Sequence, residues 1–244
     1  MNAQLPWNIA APSFVWPARV GENCHRLETM VDEVAVTLFE TRGSLEYDQE
    51  DLPADLAGLN LSYNVHLPLD LPWTQGAEEV YGNIRALTAK TDYLRPHSYV
   101  LHPPGDDREL ERLIRLWSGS RKPESLAVEN IEGDDLRDHW PLIRDTGCRV
   151  CLDLGHLLAY GQESLLETPG LLGQTSVLHL YAPGTNGEHD TLSRLDDHGF
   201  RLLQHVLHHI PASSVIVLEL FHPGKLGESL DIFRSWFMNG RLAR

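Results

Sequence analysis

The sequence predicts an α/β fold, a single (β/α)8 TIM barrel in which residues 1–244 form one domain. Three observations support this prediction. Eight short apolar runs alternate along the chain with stretches whose apolar residues have helical spacing. The length of 244 residues is close to the roughly 250 typical of one such barrel. No linker, low-complexity stretch or charge block interrupts the chain, so nothing indicates a second domain.

The eight apolar runs are predicted to be buried strands, because each is short and rich in β-branched or large apolar residues. They occupy residues 9–15, 33–39, 63–66, 99–102, 126–129, 150–153, 176–179 and 215–219. The last six runs each end at a histidine, an aspartate or a glutamate. Parallel strands joined by helices have all their carboxyl ends at the same end of the barrel. These six end groups are therefore expected to converge.

Helices are predicted for 20–30, 52–59, 77–94, 136–145 and 156–160, and apolar residues at helical spacing mark three more around 110–117, 200–210 and 230–237. The clearest helix, at 110–117, carries its apolar residues on one stripe and can be capped by Asp106 or Asp107. Gly147 is expected to close the fifth helix, and Pro211 is expected to stop the seventh.

Strand parity also favours a barrel. The residue two positions before each of the six end groups shares its side of the strand. These residues are Asn64, Val100, Ala127, Cys151, Val177 and Val217. All but the first are small or apolar, which suits the filled interior of a barrel. The end groups then form the layer above, where the active sites of TIM barrels lie.

Composition and charge exclude two classes of protein. The net charge is −15, from 20 Lys+Arg against 35 Asp+Glu, whereas nucleic-acid binding depends on basic contacts to phosphates. No nucleic-acid partner is therefore expected. No apolar run approaches the ~20 residues that cross a bilayer, and the N-terminal segment lacks the features of a signal peptide. A cytoplasmic protein without a membrane partner is expected.

The three cysteines form no disulfide framework, which fits a reducing compartment. Cys148 and Cys151 have the spacing of a CxxC motif. Residues three apart on a strand face opposite sides, however, so the two thiols are not expected to meet. Neither a redox motif nor a zinc site is predicted from this pair.

Six side chains that can bind a metal thus meet in one region, called here the strand-end cluster: His66, His102, Glu129, Asp153, His179 and Glu219. Burying so many titratable groups is costly unless they are paired, and divalent metals pair them. A single strand-end histidine is more often structural, but six successive strand ends favour metal binding. Mixed imidazole and carboxylate ligands suit zinc or manganese. Such metals lower the pKa of water and clamp the oxygens of an in-line displacement, and Glu129, central in strand order, is the candidate bridge between two of them.

Two further histidines are candidate metal ligands. Asp153 ends the sixth strand, Gly155 permits a tight turn, and His156 then opens the next helix, so that its side chain can face the same mouth. His189 lies in the loop after the seventh strand, between two acidic residues that offer alternative ligands.

Three charged residues are predicted to bind substrate. Arg194 and Lys225 follow the seventh and eighth strands and can hold an anionic group. Glu40 ends the second strand and either contacts substrate or only caps the rim. Four other histidines are expected to be structural or exposed: His97 at the start of a strand, and His205, His208 and His209 in the seventh helix.

The strand-end segments resemble a known superfamily when taken together. They are VHLP at 65–68, LHP at 101–103, VEN at 128–130, LDLGH at 152–156, LHL at 178–180 and LE at 218–219. They resemble the xylose isomerase-like TIM barrels, and within these the endonuclease IV (AP endonuclease family 2) branch. The match covers essentially the whole chain.

The resemblance implies three sets of metal ligands. The first is His66, His102 and Glu129; the second is Glu129, Asp153, His179 and Glu219; the third includes His156 and His189. The family pattern has an aspartate two residues before the last of these histidines, where this chain has Gly187. The expectation is therefore two or three divalent metal ions, zinc or manganese.

A narrower resemblance concerns three segments: APSFV at 11–15, ENC at 22–24 and HLPLDLPW at 66–73. They look like those of the cobamide-remodelling phosphodiesterases of this superfamily. These enzymes cut the phosphoester in the nucleotide loop of a corrinoid and release cobinamide and an α-ribazole phosphate. The resemblance implies a metal-dependent hydrolase with a small-molecule phosphodiester as its partner.

Three hypotheses remain open at the level of sequence. The first is the metal-dependent phosphodiesterase. The second is a sugar isomerase or epimerase, in which one metal suffices and Glu129 and Glu219 are the catalytic residues that exchange protons with the substrate. The third is a binding barrel without metals. His66 and His102 favour the hydrolase, and six intact ligand positions argue against the third. Metal identity, the number of metals, the exact substrate and the oligomeric state stay open.

Overall fold

The computed structural model describes residues 5–185 and 188–242, and its central element is a closed barrel of parallel strands. The strands are β1 (Asn8–Pro12), β2 (Glu33–Thr37), β3 (Ser62–His66), β4 (Tyr99–Leu101), β5 (Leu126–Glu129), β6 (Arg149–Asp153), β7 (Thr175–Leu180) and β8 (Val215–Leu218). Each strand pairs with its neighbours in sequence, and β1 pairs with β8 to close the ring. The predicted (β/α)8 barrel is confirmed.

The helices of the described residues surround this barrel. They are α1 (Val20–Leu27), α2 (Thr41–Leu45), α3 (Ala77–Thr91), α4 (Asp107–Ser118), α5 (Trp140–Thr146), α6 (Leu154–Tyr160), α7 (Asp197–His209) and α8 (Pro223–Met238). As predicted, Asp106 caps α4 by accepting a hydrogen bond from the Arg108 amide, and Gly147 closes α5 in the left-handed conformation. None of the helices in this part of the chain has the length and hydrophobicity needed to cross a bilayer.

The first two strands are shorter than the sequence predicts. β1 ends at Pro12 and not at residue 15, because the chain turns into a loop that the buried Asn23 side chain organises. Asn23 accepts a hydrogen bond from the Trp16 amide and donates to the carbonyls of Trp16, Ala18 and Arg19. β2 ends at Thr37 and not at residue 39.

α2 is absent from the sequence prediction, which instead has a helix at 52–59. The structure has only a short 3-10 helix, Ala54–Gly58, in that segment. α2 spans five residues, too few for a periodic pattern. It begins where Asp70, from the loop after β3, accepts hydrogen bonds from the amide and the hydroxyl of Thr41 at 2.6 and 2.8 Å. A distant residue therefore supplies the cap.

The helix predicted for 136–145 begins only at Trp140. Leu136 has a φ of 65°, in the left-handed region that is strained for L side chains. Asp134 causes this turn, since its main chain pairs with Ile131 and its carboxylate accepts a hydrogen bond from the Leu136 amide. The segment after Glu129 is consequently a compact loop and not a helix.

His139, directly before α5, ties this loop to the start of α4. It is buried, its Nε2 lies 2.7 Å from Asp134 Oδ2, and its Nδ1 bonds the Asp107 carboxylate. Burial by itself lowers the pKa of His139. The hydrogen bonds to Asp134 and Asp107 outweigh burial and raise the pKa to about 9.

We expect His139→Gln to lower the free energy of unfolding by about 2 kcal/mol near neutral pH and below, and by much less in alkaline solution. The pKa of His139 is about 9 in the folded protein, against an ordinary value of 6.5. The protonated imidazole therefore stabilises the fold fully below pH 6.5, and this contribution is lost as the pH rises through 9. Urea unfolding across this range measures the difference.

His208→Gln is the matched control, because His208 is exposed on α7. It should leave the pH profile of unfolding near that of the wild type. A difference between His139→Gln and wild type that stays constant across the whole pH range would contradict the ion-pair assignment.

Two apolar layers form the core. Inside the barrel lie Ala10, Ala35, Val100, Ala127, Cys151, Val177, Val215 and Val217. This agrees with the strand parity in the sequence. Cys148 instead belongs to the larger layer between barrel and helices, so the two thiols lie on opposite sides of the wall, as expected.

An ion pair between the exposed His97 and the buried Glu33 lies at the bottom of the barrel. His97 Nε2 lies 2.7 Å from Glu33 Oε1, and the side chains of Asn64 and Ser62 donate to the same carboxylate. The predicted structural role of His97 is thereby confirmed. Both oxygens of the buried Glu33 are therefore paired.

Candidate metal centre

The strand-end cluster forms at the carboxyl end of the barrel. His66, Glu129 and Asp153 are the last residues of β3, β5 and β6, His179 lies in β7, and His102 and Glu219 directly follow β4 and β8. Ligand atoms of five of these residues and of His156 lie within 4.8 Å of one another in three groups: His66, Glu129 and His179; Glu129, Asp153 and His156; Asp153, His179 and Glu219. The sixth residue, His102, joins them through its Nε2, which lies 3.1 Å from Glu129 Oε2. The structure thus brings the predicted residues together.

Glu129 occupies the centre of the cluster and is almost fully buried. Its Oε2 lies 3.1 Å from Nε2 of His66 and 3.1 Å from Nε2 of His102. Its Oε1 lies 3.0 Å from Nδ1 of His179. The two carboxylate oxygens therefore face two different sets of imidazoles, which is the arrangement that a bridging carboxylate requires.

His179 joins Glu129 to the other carboxylates. Its Nδ1 lies 3.7 Å from Asp153 Oδ2 and 3.5 Å from Glu219 Oε2. Asp153 Oδ1 accepts a hydrogen bond from the His156 amide at 2.7 Å, so Asp153 also caps α6. Asp153 Oδ2 is buried and accepts no hydrogen bond from the described residues.

The residues fit divalent metal ions. A buried carboxylate oxygen without a donor is costly, and a cation in contact with Asp153 Oδ2 removes that cost. The donor set of imidazole nitrogens and carboxylate oxygens is the one that zinc and other borderline metals accept. Divalent metal use is therefore supported at the strand-end cluster, while the number and identity of the ions stay predictions.

The pKa values show how the cluster balances its charges. Burial raises the pKa of Glu129, but the positive charges of His179 and His102 outweigh it, and the pKa falls well below its ordinary value. Burial lowers the pKa of His66, yet the hydrogen bond to Glu129 produces a net rise. Metal ligands must lose these protons, so metal binding is expected to release protons and to strengthen as the pH rises.

Hydrogen bonds between side chains and the main chain orient the ligands. His66 Nδ1 donates to the Leu67 carbonyl at 2.9 Å, which directs Nε2 to Glu129. The Asn130 side chain makes two hydrogen bonds to the main chain of Asp153. Its Oδ1 accepts from the Asp153 amide at 2.7 Å, and its Nδ2 donates to the Asp153 carbonyl at 3.1 Å. Sequence reasoning assigned no role to Asn130. Its position directly after Glu129, in the segment VEN, was the available signal.

His156 and His189 differ in their relation to the cluster. His156 Nδ1 lies 3.4 Å from Asp153 Oδ2 and 2.8 Å from the Asn130 carbonyl oxygen. His189 Nδ1 lies 2.6 Å from the Glu219 carbonyl oxygen, and the ring belongs to none of the three ligand groups of the described residues. Gly187, which the family pattern replaces with aspartate, lies outside the described residues.

The three predicted substrate-binding residues are spread around the mouth. The Lys225 ammonium donates to the His189 carbonyl at 3.0 Å and pairs with Asp190 at 3.3 Å. Arg194 is exposed at the end of a short 3-10 turn, and Glu40 is exposed directly before α2. Neither is among the residues that line the cavity, so their contacts to substrate stay predictions.

A cavity of about 170 Å³ opens above the cluster and is lined by Thr37, Phe39, His66, Leu69, His102, Glu129, His156, His189, Glu219 and Phe221. Phe39 and Leu69 are 37% and 55% exposed, unusually open for large apolar residues. The ring of Phe39 lies 5.0 Å from that of Phe14 and 5.5 Å from that of Phe221. The metal ligands therefore lie beside an apolar rim, which sequence reasoning missed.

Comparison with protein-family models found no match, and comparison with curated proteins found none either. Solved structures do match. A D-tagatose 3-epimerase-like protein aligns with a TM-score of 0.76 at 16% identity, over 97% of this chain and 100% of that one. An L-ribulose 3-epimerase aligns with a TM-score of 0.67 at 14% identity, over 96% of each chain. The IOLI protein with a binding zinc atom aligns with a TM-score of 0.65 at 12% identity, over 96% of this chain and 97% of that one. At these identities the likeness shows the fold alone, a (β/α)8 barrel.

Proposed function

We propose that this protein is a metal-dependent phosphodiesterase whose substrate is a small-molecule phosphodiester, the nucleotide loop of a cobamide. The observation that carries the proposal is the position of Glu129. Its Oε2 faces His66 and His102, and its Oε1 faces His179 in the second set of ligands. An isomerase needs only the second set, whereas a hydrolase that clamps both sides of a phosphoryl group uses two.

The residues of the chain have separate tasks in this reaction. His66 and His102 would hold one ion, Asp153, His179 and Glu219 would hold a second, and Glu129 would bind both. When bound, these ions supply Lewis acidity toward the phosphoryl oxygens and lower the pKa of a water molecule. Asn130 keeps Asp153 in place, and Phe39 and Phe221 line one side of the cavity.

The shape of the mouth supports a small substrate with an apolar portion. The cavity of about 170 Å³ admits the phosphodiester linkage, while the bulk of a larger substrate remains on the apolar rim. Both longer segments of the narrower resemblance contribute to this rim. Phe14, in the segment APSFV, contacts Phe39, and Leu69, in HLPLDLPW, lines the cavity.

The charge of the chain supports the same choice over a nucleic acid. A net charge of −15 opposes close approach of a duplex, whose binding depends on many basic contacts. Lys225 is half-buried near the mouth and already engaged by Asp190, so it can neutralise one anionic group but forms no basic track.

A sugar epimerase or isomerase is the second candidate function. Glu129 and Glu219 both line the cavity and both lie near His179, so one ion could be held while these carboxylates exchange protons with a sugar. Two of the matching structures are described as a D-tagatose 3-epimerase-like protein and an L-ribulose 3-epimerase, which favours this alternative at the level of fold.

The deciding experiment uses the wild-type chain. Metal content is measured after purification, and the protein is then incubated separately with a cobamide and, in D2O, with D-tagatose. The proposal predicts two or more metal equivalents, release of cobinamide and an α-ribazole phosphate, and no deuterium in the sugar. One metal equivalent with deuterium at the sugar C3 and an intact cobamide would establish the alternative. A protein without metal and without either reaction would contradict both.

A further inference from the structure

His189 lies at the edge of the strand-end cluster, with its Nδ1 3.7 Å from Glu219 Oε2. Its Nδ1 lies 2.6 Å from the main-chain oxygen of Glu219. A carbonyl oxygen only accepts hydrogen bonds, so this contact assigns the proton to Nδ1 and leaves Nε2 as the ring nitrogen that can engage a metal or a substrate. What separates His189 from a metal is therefore distance, since no ligand atom of His189 belongs to a group of three within 4.8 Å of one another among the described residues. Nε2 is left without a hydrogen-bond partner among the described residues. Because His189 lines the cavity, this nitrogen is the one available to a bound molecule.

The ring of Tyr181 fixes the plane of this imidazole. The two rings are stacked, with centroids 3.6 Å apart and an angle of 8° between their planes. Tyr181 is itself buried, and it lies directly on Gly155: a Cβ at that position would be 2.1 Å from the nearest ring atom. The glycine of the segment LDLGH therefore makes room for Tyr181, and Tyr181 in turn supports His189.

The main chain around His189 is fixed as well. Ala182 pairs with Asp190 and Pro183 pairs with His189 in a short antiparallel ladder. The Lys225 ammonium donates to the His189 carbonyl, which joins this ladder to the start of α8. A side chain held at its ring face, its Nδ1 and its carbonyl has lost its rotamer freedom before any ligand binds, which favours a binding role.

We propose that His189 contacts the substrate through Nε2 and does not bind a metal, with Tyr181 as its positioning residue. The inference rests on the proposed function, since the contacted group is an oxygen of the phosphoryl group held at the strand-end cluster. It also changes the expected composition of the centre. His156 joins Glu129 and Asp153 in a ligand group, whereas a third ion that requires His189 is not expected.

The first test is independent of activity. Protein loaded with zinc and labelled with ¹⁵N on histidine should show a His189 Nε2 resonance in the range of an uncoordinated nitrogen, assigned by its loss in His189→Gln. His189→Gln should also retain the metal content of the wild type. Loss of one metal equivalent, or a coordinated Nε2 shift in the wild type, would overturn the inference.

The second test measures the contact with inorganic phosphate as the probe. Isothermal titration of the metal-loaded protein should give a Kd at least tenfold higher for His189→Gln than for wild type. Tyr181→Leu should weaken phosphate binding similarly, and Tyr181→Phe, which keeps the stacked ring, much less. His205→Gln, on the exposed surface of α7, is the matched control. Unchanged phosphate affinity in His189→Gln would contradict the substrate contact.

The two proposals fail in different ways. Wild-type protein that loads metal but neither cleaves a phosphodiester nor binds phosphate would contradict the proposed function. In that case, metal content and the Nε2 shift decide separately whether His189 is a metal ligand. A coordinated Nε2 in an active phosphodiesterase would overturn only the inference about His189.

Discussion

His66→Ala and His102→Ala are each expected to lower phosphodiester hydrolysis by about 10²–10³-fold. In both imidazoles Nε2 lies 3.1 Å from the same oxygen of Glu129. Each substitution therefore removes one ligand from the same set. The set formed by Asp153, His179 and Glu219 is untouched by either change. The expected metal content is therefore one equivalent below wild type, and not zero.

Metal analysis and hydrolysis are measured together, after circular dichroism has shown that both variants fold. His208→Ala is a suitable control, because His208 is exposed on α7 and belongs to none of the ligand groups of the described residues. Full metal content and full hydrolytic rate in both variants would rule out the two-metal hydrolase. The epimerase would then be the better proposal, provided that Glu129→Gln and Glu219→Gln abolish proton exchange on a sugar.

Glu129→Gln is expected to have the larger effect, because Glu129 alone faces both sets of ligands. The amide keeps the size of the side chain but removes the negative charge that His66, His102 and His179 surround. We expect loss of both ions under conditions that saturate the wild type, and a fall in rate of roughly 10³-fold or more.

The metal content of Glu129→Gln is to be compared with that of Glu219→Gln. Glu219 lies near His179 but belongs only to the second group of ligands, so its removal should cost one ion. Glu46→Gln, at an exposed position after α2, should change neither metal content nor rate. Equal metal loss in Glu129→Gln and Glu219→Gln would show that Glu129 does not bridge two sites.

The strand ends were predictable because two local rules determine them. Short β-branched runs bounded by turn residues favour strands, and strands joined by helices run parallel. From these rules follow the barrel, the interior position of residues such as Val100 and Ala127, and the convergence of His66, Glu129 and Asp153. The separation of Cys148 from Cys151 follows equally from strand parity alone.

The short elements escaped prediction because distant groups create them. α2 begins at Thr41 only because Asp70, from another loop, accepts its amide hydrogen bond. The left-handed Leu136 and the late start of α5 depend on Asp134 and on its ion pair with His139. Neither arrangement leaves a periodic signal in the sequence, because each rests on one or two polar contacts.

The sequence by itself determined the fold and the six groups of the strand-end cluster, since apolar periodicity marks the strands and the longer helices, and their alternation makes the strands parallel. Only the tertiary structure decided how the groups around the cluster are used. It turned one oxygen of Glu129 toward each set of ligands, left Asp153 Oδ2 without a donor, and stacked His189 on Tyr181. These outcomes depend on side-chain rotamers and on packing between residues far apart in sequence, and such contacts exist only once the barrel has closed.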